Sequence, residues 1–164
     1  MRRLVQTTVV LSMLIATGIA QAQAPPPPAA PAYGGDVSLD AAKKIAMAAE
    51  SEAKKNGWTV VIAVVDTHGS LVMLERLDNT QLGSIGIAVD KARTAAAFKR
   101  PSKVFEDAVA GGRNAVLGLQ GVTPIEGGLP LMLDGKVIGA IGVSGMTSQQ
   151  DGMVAKAGAD SVGK

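Results

Sequence analysis

Cysteine is absent from the 164 residues, and histidine occurs once, at His68. The first absence excludes disulfides, thiolate nucleophiles and cysteine-ligated zinc or iron–sulfur centres; the second excludes a histidine-cluster metal site within one subunit. A carboxylate site for magnesium or calcium would need a ligand-spaced acidic loop, and none is found. The aromatic residues are Tyr33, Trp58, Phe98 and Phe105, too few for a base-stacking platform. Surplus charge is missing too. There are 16 basic and 14 acidic residues, and two of the basic ones, Arg2 and Arg3, lie in a segment expected to be removed. The balanced remainder argues against nucleic acid as a partner, since phosphate binding needs a basic surplus or a concentrated patch.

The N-terminus has the three parts of a secretory signal. Arg2-Arg3 form the positive region, Leu4 to Ile19 the apolar region, and Ala20-Gln21-Ala22 the small-residue cleavage site. Residues 1–22 are therefore expected to be a signal peptide, and the mature protein periplasmic or secreted. Gln6, Thr7 and Thr8 interrupt the apolar run, which falls short of the ~20 clean residues of a membrane span, so no stable membrane insertion is expected after cleavage. Residues 23–35 hold five of the eight prolines and read as an extended spacer. The domain is expected to occupy 36–164.

Within it, Ser38 is a candidate N-cap, and Leu39, Ala42, Ala46, Ala49 and Ala53 form a helical stripe that ends before Gly57. Trp58 to Asp66 is a continuous β-branched run, suited to a strand covered on both faces. Thr67-His68-Gly69 turns the chain into a second strand, Ser70 to Arg76. From Leu82 to Arg100 the period is helical, with Leu82, Ile85, Val89, Ala92 and Ala96 as the apolar stripe and Pro101 as the stop. A short helix follows from Ser102 to Val109, and Ala115 to Thr123 reads equally as strand or loop. The chain from Glu126 to Thr147 then reads as a hairpin turning at Asp134-Gly135, with a last helix capped by Thr147 or Ser148 and Asp151 in its first turn. Adjacent strands joined by tight turns predict an α+β domain, with a central antiparallel sheet of four or five strands flanked by helices.

Three segments occur in order: AVVDTHGSLVMLERLD (63–78), AVDKARTAAAFKRPS (88–102) and EGGLPLMLDGKVIGAIGVSG (126–145). Together they resemble the GlcG/HbpS-like family of haem-binding domains, a domain also found as the C-terminal part of PduO-type corrinoid adenosyltransferases. The likeness spans 38–163. It implies the helix-flanked antiparallel sheet, homo-oligomers frequently built from dimers, and for exported members a haem-binding or redox-sensing role.

With haem as the implied ligand, the chain offers a short set of groups. His68 is the candidate iron ligand, the alternative being a solvated turn histidine. Met73, Met132, Met146 and Met153 could ligate or pack. Arg76, Lys91, Arg93 and Arg100 are candidate partners for propionates, because guanidinium binds carboxylate bidentately. Glu126-Gly127-Gly128 forms a second candidate site, with approachable backbone amides beside a carboxylate that could act as acid or base. The favoured reading is an exported protein that stores, shields or senses haem, or binds another small planar ligand, without catalysis. A small-molecule lyase or isomerase using Glu126 is one alternative, and a non-catalytic interaction module is another.

Overall fold

The computed structural model describes residues 29–164. The expected signal peptide and spacer residues 23–28 lie outside the described residues. The elements are α1 (Leu39–Lys55), β1 (Val61–Val65), β2 (Leu71–Arg76), α2 (Ser84–Phe98), α3 (Lys103–Ala110), a 3-10 segment (Asn114–Gly118), β3 (Gly128–Leu133), β4 (Lys136–Ser144) and α4 (Ser148–Ala159). The four strands form one antiparallel sheet in the order β2-β1-β4-β3. The two expected hairpins are both present, joined along β1 and β4.

The β-branched run explains why β1 is central. All five of its residues are buried, and alternate side chains serve different faces. Val60, Ile62 and Val64 pack with Ala42, Ile45, Ala46, Ala49, Val154 and Ala155 of α1 and α4. Val61 and Ala63 pack with Ala88, and Val65 with Ala92, Ala95 and Ala96, all on α2. Helices therefore cover both faces, as a strand without polar alternation requires.

Local chemistry sets the boundaries. Ser38 caps α1 by accepting the Ala41 amide at 3.2 Å. Asp134 and Gly135 both have positive φ, 50° and 73°, the geometry of a two-residue hairpin turn whose twist matches its strands. Thr147, not Ser148, caps α4, in a reciprocal capping box with Gln150. Ala115 to Thr123 is neither strand nor plain loop. It begins within the 3-10 segment, and Thr94, whose hydroxyl donates to the Asp90 carbonyl at 2.8 Å, anchors its far end by accepting the Thr123 amide at 2.8 Å.

Two expectations are corrected. Helix α2 starts at Ser84, and its inward face is Ser84, Ala88, Lys91, Ala92, Ala95 and Ala96, while Leu82 is 74% exposed and Ile85 36%. The reason lies underneath it. A Cβ on Gly142 would stand 2.0 Å from the Ala88 carbonyl, and one on Gly128 2.2 Å from that of Lys91. These residues are register partners on β3 and β4. The helix backbone rests on glycine, so small side chains face the sheet: Ala92 and Ala96 of the expected stripe are buried and Val89 partly so, while Leu82 and Ile85 turn outward. The second correction concerns the spacer. Val137 donates to Ala32 at 2.9 Å, Gly34 to Val137 at 2.8 Å and Val37 to Ile138 at 2.7 Å. Packing thus begins at Ala32, in a strap along β4 beyond the end of β1.

Candidate functional site

The residues singled out in the sequence do not converge on one place. His68 projects from the β1–β2 turn with 80% of its side chain exposed, its Nδ1 3.9 Å from Asp36 Oδ1. Asp66 builds that turn by accepting the His68 and Ser70 amides, each at 2.8 Å. Hydrogen bonds from the Thr67 hydroxyl and amide hold the Asp36 carboxyl below its ordinary value. Arg93 reaches the same turn, donating from Nε to the Gly69 carbonyl at 3.1 Å. Arg76 ends β2 opposite Val61, at the far end of the sheet from this turn.

Lys91 is 1% exposed. Its ammonium donates to Asp151 Oδ2 at 2.8 Å and to the Val143 carbonyl at 3.0 Å, and Asp151 Oδ1 accepts the Met146 amide at 3.0 Å. The pair pins α2 to β4 and α4, so the charge of Lys91 is taken up inside the domain. Burial nevertheless pushes the Asp151 carboxyl above its ordinary value, with Lys91 opposing. Asp151 lies in the first turn of α4, as the sequence placed it, and is buried there as a core anchor.

Gly127 and Gly128 belong to the same arrangement. A Cβ on Gly127 would lie 2.9 Å from the Lys91 ammonium. The Gly128 amide donates to Ser102 Oγ at 2.9 Å, and the Val143 amide to the Gly127 carbonyl at 2.9 Å. Their openness receives α2 and Ser102 and leaves these groups occupied. Beside them, the Glu126 amide donates to the Glu106 carboxylate, and the Glu126 carboxylate stands 3.9 Å from the Lys103 ammonium with 21% of its side chain exposed.

Arg100 has a different setting. The end of α2, α3 and the 3-10 segment enclose a recess of about 260 Å³, walled by Val104, Phe105, Val116 and Leu119, with Phe98, Arg100 and Arg113 also in its lining. Phe98 meets Phe105 edge to face, with centroids 5.1 Å apart, and the Arg100 guanidinium lies 6.0 Å over the Phe105 ring. Among the described residues, neither Arg100 nor Arg113 has a carboxylate partner. Two uncompensated guanidiniums beside an apolar, aromatic wall suit a flat ligand carrying carboxylates. Arg113 was not singled out in the sequence. A second recess, about 310 Å³ between the start of α1 and the β3–β4 hairpin, is walled by aliphatic Ile45, Leu133 and Ile138 and includes Asp40. It lacks an aromatic wall, and its cations, Lys44 and Lys164, share the lining with Asp40.

A family model described as haem degrading protein HbpS-like matches residues 37–160. The chain belongs to the HbpS-like family. Protein GlcG of Escherichia coli K12 is 44% identical over 108 residues, which are 66% of this chain and 81% of GlcG. Among solved structures, a double-mutant HbpS of Streptomyces reticuli is 29% identical with a TM-score of 0.73, covering 88% of this chain and 99% of that one. A complex of PduOC with haem is 30% identical with a TM-score of 0.71, covering 78% and 96% respectively. The two solved structures share this chain's α+β fold. No described helix of this family member is long and apolar enough to cross a membrane.

Proposed function

We propose that the mature chain is an exported haem-binding protein, periplasmic or secreted, that stores, shields or senses haem. The observation that carries this reading is the recess between α2, α3 and the 3-10 segment, whose lining combines Arg100 and Arg113, neither with a carboxylate partner, with Phe98 and Phe105. Haem is a planar apolar body with two carboxylates, and these are the two properties the recess addresses. Support comes from a family described by haem degradation and from a relative solved with haem. A volume of about 260 Å³ lies below the ~300–1,000 Å³ of ordinary ligand sites, so the recess receives the propionate edge and leaves much of the ring outside. The lining contains no His, Met or Tyr. An exposed His68 would therefore meet the iron where a second copy presents it, in a homo-oligomer that shares the ligand.

Titrating the purified protein with hemin should give a saturable Soret shift at micromolar protein. Replacing Arg100 and Arg113 together with alanine should weaken binding by roughly tenfold or more, since a charge-assisted hydrogen bond contributes about 1.5–3 kcal/mol and each 1.4 kcal/mol is tenfold. The absence of any saturable shift defeats the proposal. A His68→Ala variant with an unaltered spectrum removes only the ligand assignment. Export has its own check. N-terminal sequencing of protein recovered from outside the cytoplasm should begin at Gln23, and an intact Met1 there would refute cleavage after Ala22.

A further inference from the structure

The strap ahead of α1 carries Tyr33, whose side chain turns toward the C-terminal end of α2. The Tyr33 hydroxyl lies 2.8 Å from the Ala96 carbonyl and 3.1 Å from that of Ala97. Both are among the last carbonyls of α2, which have no partner within their own helix. The next one, from Phe98, accepts Arg100 Nε at 3.1 Å. Between them, Lys99 takes the left-handed conformation, φ 52°, and sets its ammonium 5.0 Å over the Tyr33 ring. Two side chains therefore divide the exposed end of this helix. Tyr33 holds two carbonyls, while Arg100 holds one through Nε and extends the rest of its guanidinium over Phe105 at the recess.

We infer that Tyr33 is a positioning residue for carboxylate capture, acting through Arg100. This rests on the haem reading above and adds the element that aims the guanidinium. A helix end with unpaired carbonyls attracts nearby cations, by hydrogen bonding and by the macrodipole; of the two at this end, Lys99 is held over the Tyr33 ring, which leaves Arg100. Without the Tyr33 hydroxyl, the Ala96 and Ala97 carbonyls become competing acceptors one turn back along the helix. Arg100 then folds onto α2 and away from the recess. The strap between the proline-rich stretch and the domain thus belongs to the ligand site without lining it. Asp36, three residues on, secures the same strap to the β1–β2 turn by accepting the Thr67 amide at 3.1 Å.

The test compares wild type with Tyr33→Phe, which keeps the ring and the fold and removes only the hydroxyl. Two probes are titrated, hemin and hemin dimethyl ester in dilute detergent. Tyr33→Phe should weaken hemin binding roughly three- to tenfold and leave the ester unchanged within twofold, because only the free carboxylates use Arg100. In an Arg100→Ala background, Tyr33→Phe should have no further effect on hemin. Equal hemin affinity in wild type and Tyr33→Phe overturns the inference, as does equal weakening for both probes or a loss that persists without Arg100. Each of those results leaves haem binding standing. A wild type that binds neither probe refutes the haem reading and the positioning role together.

Discussion

Lys91→Met is expected to destabilise the protein by about 3–5 kcal/mol, the usual result of breaking a buried ion pair from one side. For a domain of this size that lowers Tm by roughly 10–15 °C. Asp151 is 2% exposed, and the 2.8 Å contact with Lys91 is its cationic partner. Methionine retains most of the lysine's bulk, so the loss reports a stranded carboxylate and not a cavity. The pH dependence has a definite sign. Burial already holds the Asp151 carboxyl above its ordinary value, and loss of Lys91 removes the opposing influence. A carboxyl whose folded value is raised stabilises fully below its unfolded value, about 4, and loses that contribution as pH rises through the folded value. The deficit of Lys91→Met should therefore be small at acidic pH and widen toward neutrality. Adding Asp151→Leu should recover much of the loss at neutral pH, since an apolar pair can replace a buried ionic one. Thermal melts from pH 4 to 8 measure all three expectations.

Gly142→Ala should be nearly as severe, by a different route. The added Cβ would stand 2.0 Å from the Ala88 carbonyl and 2.5 Å from the Ala92 amide, both backbone atoms of α2. No rotamer change relieves such a contact; the helix must lift from the sheet. Overpacking ordinarily costs about 1–3 kcal/mol, and we expect this substitution at or above the upper end of that range. Lifting α2 also moves Lys91 away from Asp151 and shifts the turn that carries Arg100. Gly86 on the same helix is the control, because a Cβ there has nothing within 4 Å. Gly86→Ala, in the first turn of α2, should stabilise by up to about 0.5–1 kcal/mol, the gain at a helix-interior glycine being its ceiling. Denaturant unfolding of the two variants should move in opposite directions.

Most of the architecture was legible because it rests on short-range chemistry. The β-branched run of β1, the Asp134-Gly135 turn and the caps at Ser38 and Thr147 are local signals, and each element appears where they place it. The face of α2 was not legible in the same way. Hydrophobic periodicity pointed to Leu82 and Ile85, but the inward face was decided by Gly128 and Gly142, which are distant in sequence and leave room for backbone alone. The candidate site was legible in part. Arg100 was visible as the last cation before the Pro101 stop, whereas Lys91, on the same helix, has a partner 60 residues later that no spacing rule connects. Arg113 could have been noticed beside the turn glycines Gly111 and Gly112, six residues after Asp107, with no other charge between them. Its relation to Phe98 and Arg100 depends on how α3 folds back, which composition does not encode.

The most direct test of where the ligand sits is amide hydrogen exchange of the whole mature protein, recorded with and without hemin. The account predicts added protection between residues 98 and 119, on α3, the 3-10 segment and the turn before them. Protection confined to the β1–β2 turn around His68, or to the α1 side of the sheet, would contradict it.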